Sequence, residues 1–292
     1  MTGLTSAANR AAIRLARGLY RATPFRRLRA AYFKTFLRLV RGRRVVRTVD
    51  GMTFELDLGE LIDVGVFLGE FEVDMVSLIE RLTPPGATVL DIGANIGAHA
   101  LRFGKLVGAS GHVFAFEPTD YAYHKLVKNL SLNRLPQVEA LQLALGDQPA
   151  ARQTVGFRSS WRSDGQRTTA RSIVDFVTLD GWCQSRGITR VDLVKLDVDG
   201  HEFPVLAGGR RILAASRPVV LIEAGAWHFE DTHRNPLALL RDLGYRFWDT
   251  RTLDEYADLD AIRRRLPAHD DDMGFSINVL AMTTPPRWEG AP

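Results

Sequence analysis

The sequence predicts a doubly wound α/β fold with a mostly parallel sheet. Three observations carry that reading. Short apolar runs of strand length alternate with amphipathic helical stretches along most of the chain. One of those strands runs through a glycine turn straight into a helix. The charges in the apolar runs fall near their carboxyl ends, where ligands bind in open α/β sheets.

The strand in question is Thr88-Val89-Leu90-Asp91-Ile92, followed by Gly93-Ala94-Asn95-Ile96-Gly97. Pro84-Pro85-Gly86 stops what precedes it. Val89, Leu90 and Ile92 are apolar on both faces, as a parallel strand requires, and Asp91 is the only charge. Gly93 and Gly97 bracket a tight turn. A helix is expected from about Asn95, carrying Ala98, Leu101, Phe103, Leu106 and Val107 at helical spacings.

The elements before it are a helical pair and a hairpin. Residues 5–21 and 24–42 read as two helices broken at Thr23-Pro24. In the second, Phe25, Leu28, Tyr32 and Phe36 share an apolar face opposite Arg27, Lys34, Arg38 and Arg41. Val45 to Val49, then Asp50-Gly51, then Thr53 to Leu56 reads as a β-hairpin on a two-residue turn, and a short helix runs from near Glu72 to Leu82.

Beyond the glycine turn, His112 to Phe116 is a second core strand with Glu117-Pro118 at its end. A helix capped by Thr119 or Asp120 follows, then a third strand from Val138 to Leu143, ending at Ala144-Leu145-Gly146-Asp147. Two strand-like runs flank a polar loop from Ser159 to Thr169. The fourth core strand is Val191 to Asp197, turning through Val198-Asp199-Gly200-His201-Glu202 into a helix. Pro218 to Glu223 is a fifth. A helix ending at Gly244 follows, and strands at Tyr245–Trp248 and Phe275–Met282 close the sheet. The tail from Pro285 is expected to be loose.

Composition sets limits. With 292 residues, 46% hydrophobic and 25% charged, the chain suits one large α/β domain plus an extension: a basic helical extension over 1–44 and the α/β domain over 45–292. Cys183 is the only cysteine, so neither an internal disulfide nor a cysteine metal cluster is available, and a cytoplasmic location is expected. No apolar run is long enough to span a bilayer. Thirteen of the 38 Lys and Arg fall in residues 1–49 with no acid among them, leaving 25 against 34 acids, a balance of −9. The extension therefore either packs on the acidic body, which is favoured, or touches an anionic membrane surface through residues 10–44, at the inner membrane face. An organelle transit peptide is a lesser alternative.

The turn chemistry favours one cofactor. A dinucleotide fingerprint places amides of a G-x-G-x-x-G turn against a pyrophosphate. Here the glycines are four apart and a carboxylate precedes them, which suits an ammonium better than a phosphate. S-adenosylmethionine has an ammonium, a sulfonium and no phosphate. Glu117, twenty residues past Gly97, can accept hydrogen bonds from ribose hydroxyls, as an acid would in either cofactor class.

A second constellation lies on the fourth strand. Lys195 and Asp197 are two apart and so share a face of a strand that is otherwise buried, and Glu223 ends the neighbouring strand. Buried charges cost several kcal/mol unless paired, so a site is expected there. His201 and Glu202 open the next helix and His228 follows Glu223.

These pieces in order, Asp91-Ile92-Gly93-Ala94-Asn95-Ile96-Gly97, Phe116-Glu117-Pro118, Thr178-Leu179-Asp180, Val194 to Glu202, Leu243-Gly244-Tyr245 and Asn278-Val279-Leu280-Ala281, resemble the motif series of FkbM-family methyltransferases over about residues 50–282. The resemblance implies the class I methyltransferase (Rossmann-like) fold with a seven-stranded sheet, S-adenosylmethionine as cofactor, and O-methylation of a hydroxyl on a sugar, glycolipid or polyketide-type acceptor. It also implies roles. Asp91, Gly93, Ala94, Asn95 and Gly97 would form the methionine-side turn, Glu117-Pro118 would hold the ribose, and Asp147 would meet the adenine amino group. Asp197 would lie near the methyl group, supported by Lys195 and Glu202. The family's turn after the fourth strand more often reads D-V-E-G-A-E. This chain has Asp199 and His201 there, which keeps a carboxylate and adds an imidazole. The basic extension is not explained by the resemblance.

Because a sulfonium already activates its methyl, the protein must align the acceptor and remove its proton. His228, His201 and Asp197 compete for that role. Asp197 with Glu223 could hold one divalent cation, but no further acid or Asn adjoins Glu223, so no metal is expected. Two rival functions are a nucleic-acid methyltransferase, which the basic extension prompts, and a non-catalytic cofactor-binding protein on a membrane surface. Base amino methylation typically uses a D/N-P-P-Y/F turn where this chain has Asp197-Val198-Asp199-Gly200, and the Lys195, Asp197 and Glu202 set argues against a mere scaffold. A homodimer is left open.

Overall fold

The structure, a computed structural model, describes residues 42–156, 171–267 and 276–285. The helices expected within 1–41, the loop from Ser159 to Thr169 and the tail beyond Pro285 lie outside the described residues. No helix among the described residues is long and apolar enough to cross a membrane.

The chain divides into two compact units, the first of which includes residues 42–71. There β1 (Arg44–Val49) pairs antiparallel with β2 (Met52–Asp57), with Val49 opposite Met52. Asp50 and Gly51 both have positive φ, 49° and 73°, as the expected two-residue hairpin turn needs. Helix α1 (Leu61–Leu68) follows and ends at Gly69 in the left-handed region. Sequence patterning does not predict α1, because Leu61-Ile62-Asp63-Val64-Gly65-Val66-Phe67-Leu68 is apolar nearly all round and shows no helical period.

The second unit carries the main sheet. Helix α2 (Val73–Leu82) leads to β3 (Thr88–Ile92), α3 (Ala98–Val107), β4 (His112–Phe116), α4 (Asp120–Asn133) and β5 (Val138–Leu141). After a small second sheet come α5 (Leu179–Ser185), β9 (Leu193–Leu196), α6 (Glu202–Ala207), α7 (Arg210–Ser216) and β10 (Val219–Gly225). The closing elements are α8 (Pro236–Asp242), β11 (Arg246–Asp249), α9 (Leu259–Arg265) and β12 (Ser276–Met282). The seven strands lie in the order β11-β12-β10-β9-β3-β4-β5. From β10 to β5 all neighbours are parallel, and only β12 runs against its neighbours. The mostly parallel, seven-stranded doubly wound sheet expected from the sequence is therefore present.

Strand alternation sets which side chains can reach a ligand. One face of the sheet buries Leu90, Ile92, Phe116, Leu196 and Ile222. The other buries Val89, Val113, Leu193 and Leu221 under α2 and α3 residues such as Ile79 and Phe103. By the two-residue period, Asp91, Lys195 and Glu223 take this second face. They stand near the carboxyl ends of β3, β9 and β10.

Three boundaries differ from expectation. The third strand divides at Gln142: β5 stays in the main sheet, while β6 (Leu143–Leu145) joins a three-stranded sheet with β7 (Ala150–Val155) and β8 (Ser172–Val177). β7 and β8 are antiparallel, as the expected hairpin requires. Helix α3 starts at Ala98 rather than Asn95, because Asn95 and Gly97 are left-handed at φ 48° and 87°. β9 ends at Leu196, so Asp197 opens the following turn.

At Gly93 two backbones meet. Its φ is +85°, and a Cβ there would stand 1.7 Å from the Asp197 carbonyl oxygen. Asp197 N–H donates to the Ile92 carbonyl at 3.0 Å, so the two turns cannot separate freely. Gly93→Ala is expected to destabilise the protein by about 3 kcal/mol or more, from left-handed strain plus the clash. Thermal unfolding of the variant checks this, and an unchanged midpoint would show that the turns do not approach this closely.

Candidate functional site

The site is built on the carboxyl ends of β3, β4, β9 and β10. At the glycine turn, the Gly93 and Ala94 amides both donate to the Phe116 carbonyl at 2.9 Å, tying the β3 turn to the end of β4. Glu117 completes the tie. Its Oε2 accepts the Asn95 amide at 2.9 Å, and its Oε1 accepts the Thr119 amide at 2.9 Å and the Thr119 hydroxyl at 2.5 Å. Thr119 is the N-cap residue of α4, but its hydroxyl serves Glu117 instead of the helix amides. Burial pushes the Glu117 carboxyl up, against the pull of these hydrogen bonds. Three of its roughly four lone-pair sites are used, which leaves one on Oε2.

Asp91 is fully buried, and neither carboxylate oxygen has a hydrogen-bond partner. Burial raises its pKa, and the nearby Lys195 charge opposes the rise. Lys195, directly opposite Asp91 in the β3–β9 register, places Nζ 3.9 Å from Asp91 Oδ1 and 2.9 Å from Asp197 Oδ2. Burial alone would favour the neutral amine. The Asp197, Asp91 and Glu72 charges outweigh it and hold Lys195 as an ammonium.

Glu202 joins two loops. Its Oε1 accepts the Val198 amide at 3.0 Å and the Gly200 amide at 3.2 Å, closing the turn after β9, where Asp199 is left-handed. Its Oε2 lies 2.6 Å from His228 Nε2, in the loop after β10, and both side chains are buried. His228 Nδ1 accepts the Gly225 amide at 3.1 Å, so a neutral ring carries its proton on Nε2 and donates it to Glu202. The Trp227 indole N–H also lies 3.0 Å from Nε2, but a protonated Nε2 cannot accept from it. Both nitrogens of His228 are thus turned to the protein.

His201 and Asp147 stand apart from this cluster. His201, the N-cap residue of α6, packs edge-on against Phe176 of β8 at 5.8 Å between ring centroids. Burial pushes its imidazole down, opposed by Glu202 and Asp147. Asp147 is exposed in the turn after β6. Pro118 is half-buried between Glu117 and Thr119, and Ala94 is buried in the glycine turn. Asp180, part of the motif series, accepts the Arg211 and Ile212 amides at the start of α7.

The structure adds Glu72, His99, Asn278 and Ser276, which patterning missed, around the Glu223 that it singled out. Glu72 precedes α2 with a left-handed φ of 43°, and its side chain does not cap the helix. Oε2 instead meets His99 Nε2 at 2.5 Å, and Oε1 accepts from Asn278 Nδ2 at 3.3 Å. A lone acid before a helix reads as a cap, and only the positive φ, invisible in sequence, turns it inward. Glu223 follows Ile222, the partner of Leu196 at the end of β9, and lies opposite Asn278 on β12. Ser276 Oγ donates to its Oε1 at 2.5 Å, and its buried Oε2 has no hydrogen-bond partner. Burial, with Asp197 next, pushes the Glu223 carboxyl up to about 9. Among the described residues, no three His, Cys, Asp or Glu side chains converge in a way that could hold a metal ion.

The chain matches the model of the methyltransferase FkbM domain over residues 91–247, more than half its length. It is 28% identical over 165 residues to the 2-O-methyltransferase NoeI of Sinorhizobium fredii, covering 49% of this chain and 64% of that one. It is 25% identical over 158 residues to the hexuronic acid methyltransferase AglP of Haloferax volcanii, covering 53% and 63%. The chain thus spans somewhat under two thirds of the length of these curated relatives. A SAM-dependent methyltransferase from Aquifex aeolicus aligns with a TM-score of 0.40 at 16% identity, over 73% of this chain and 90% of that one.

Glu72 makes the network pH-dependent. Burial would raise its pKa, but the hydrogen bond and charge of His99 more than offset this and lower it from 4.5 to about 2. A carboxyl depressed on folding stabilises above its unfolded pKa, and that stability is lost as pH falls through the folded value. Glu72→Gln is therefore expected to lower the unfolding midpoint at pH 6. The gap from the native protein should close between pH 4.5 and about 2, as pH-dependent calorimetry would measure.

Proposed function

Because the chain belongs to the FkbM methyltransferase family, we propose that it transfers the methyl group of S-adenosylmethionine to a hydroxyl oxygen of a small-molecule or glycan acceptor. The observation that carries this is Asp91: a fully buried carboxylate with two unpartnered oxygens, directly before a glycine turn. A buried carboxylate that accepts no hydrogen bond is costly; its 3.9 Å pair with a lysine already bonded to Asp197 offsets only part of that, and an ammonium donating to it would remove the rest. The donor's α-amino group fits that position. Glu117 retains a free lone pair for a ribose hydroxyl. Lys195 is shared between Asp91 and Asp197, and His99 meets Glu72, so Asp91 is left without a donor of its own and the edge favours a ligand that brings positive charge.

When bound, S-adenosylmethionine supplies an activated methyl group. The chain's residues do the rest. Asp91 and the glycine turn bind the amino-acid end, and Glu117 with Pro118 binds the ribose. Asp147 and His201, at the β6–β8 margin, suit the adenine end. Lys195 holds Asp197 in place beside the reacting centre. Glu202, by joining the turn after β9 to His228 after β10, keeps the acceptor side of the edge rigid. His228 acts here as a positioning residue, since both its nitrogens are engaged.

The names of the relatives, a 2-O-methyltransferase and a hexuronic acid methyltransferase, support a sugar as acceptor. The thirteen basic residues of 1–49 would suit an anionic glycan or a lipid-linked one.

Two outcomes test the reading. Asp91→Ala should weaken S-adenosylmethionine binding at least about tenfold in calorimetry, because it removes a charged acceptor from the ammonium. Labelled methyl transferred to hexosides or hexuronides should resist mild alkali, as an ether does. Label released as an ester, or found on nitrogen, would contradict O-methylation of a hydroxyl.

A further inference from the structure

We propose that Glu223 is the catalytic base: it carries its proton in the empty protein, gives it up to solvent when the donor's sulfonium binds, and then takes the acceptor's hydroxyl proton on Oε2. This rests on the S-adenosylmethionine reading above.

Position comes first. The parallel register pairs Leu221 with Lys195 and Ile222 with Leu196, so Glu223 stands one residue beyond the last pair, on the face that carries Asp91 and Lys195 and beside the turn that Asp197 opens. With Asp91 on β3 and Glu117 after β4 holding the donor, the acceptor side of the edge is β9 and β10. Availability comes second. His228 has both nitrogens engaged, and Asp197 spends Oδ2 on Lys195. Glu223 spends only Oε1, on Ser276, while Oε2 is buried without a partner.

Basicity agrees with the placement. The groups facing Glu223 are Asp197 and Asp199 in the turn after β9, Glu202 on α6 and the Ser276 hydroxyl on β12. Burial and the three acids keep the carboxyl protonated to about pH 9, opposed by the Ser276 hydroxyl, while the Lys195 ammonium on the same face is engaged by Asp197. A unit positive charge nearby lowers a carboxyl's pKa by roughly one to three units, so Glu223 becomes a carboxylate on donor binding. During transfer the acceptor O–H bond breaks and its proton moves to Oε2. The oxygen bonds the methyl carbon, and the carbon–sulfur pair stays on sulfur. The sulfonium charge is then gone, and Glu223 is again a neutral acid in the environment that favours one.

The test is calorimetry of the full-length protein at pH 8 in two buffers of different ionisation heat. The probes are S-adenosylmethionine and S-adenosylhomocysteine. S-adenosylmethionine should release roughly half a proton or more beyond its uncharged-sulfur counterpart. In Glu223→Gln that difference should vanish, with both affinities within about threefold of the native protein. Equal proton release for the two ligands in the native protein, or a difference that persists in Glu223→Gln, would overturn the assignment while leaving cofactor binding intact. If neither ligand binds, the cofactor reading fails and takes this one with it. A ligand-free measurement stands beside it. A carboxyl whose pKa is raised on folding destabilises progressively as pH climbs from 4.5 to about 9, so Glu223→Gln should gain unfolding temperature over the native protein across that window. A constant gap would mean that Glu223 is already ionised, and would also overturn the proposal.

Discussion

Lys195 is the only lysine or arginine among the described residues that is buried, and much of the site depends on how its charge is met. An ammonium taken out of water costs several kcal/mol, more than an isolated contact returns. Here the cost is offset by Asp197 at 2.9 Å and Asp91 at 3.9 Å, from a turn and a strand on either side of it. Because Asp91 and Lys195 are cross-strand partners, the pair also specifies the register of β3 against β9. That register in turn brings the Gly93 turn against the Asp197 backbone. Removing the ammonium would therefore unbalance three carboxylates and the meeting point of two turns together.

The arrangement is over-supplied with acid. Asp91 keeps two unpartnered oxygens beside a cation already engaged by Asp197. Such a cluster is poor for stability and suited to a positively charged ligand, the usual relation between a strained site and its function. The polar groups sort by strand. In the proposed arrangement the cofactor's amino-acid end would fall to β3 and its ribose to the end of β4, while Asp197, Glu223 and the Glu202–His228 pair would form the acceptor side at the ends of β9 and β10. On that proposal, proton chemistry and cofactor recognition would occupy neighbouring strands of one edge, coupled through charge.

Much of this was legible in the sequence. The apolar strands, the glycine turn and the acids at strand ends carried the doubly wound sheet and the placement of Asp91, Glu117, Lys195 and Asp197, because side-chain period and burial cost are local properties. What was not legible depended on backbone angles and distant pairings. Glu72 enters the site through a left-handed φ that its residue type does not demand. Helix α1 lacks a period. The split at Gln142 follows from β6 pairing with β8, some thirty residues on. His228 suits the role of base by residue type, yet its Gly225 and Glu202 contacts arise only once β10 and α6 are side by side.

The central claim is that Asp91 faces the amino group of the methyl donor. A crystal structure with S-adenosylhomocysteine tests it most directly. The account predicts the α-amino nitrogen about 3 Å from an Asp91 carboxylate oxygen, with a ribose hydroxyl on Glu117 Oε2. A bound ligand whose amino group lies away from Asp91, with both Asp91 oxygens still unpartnered, would contradict it.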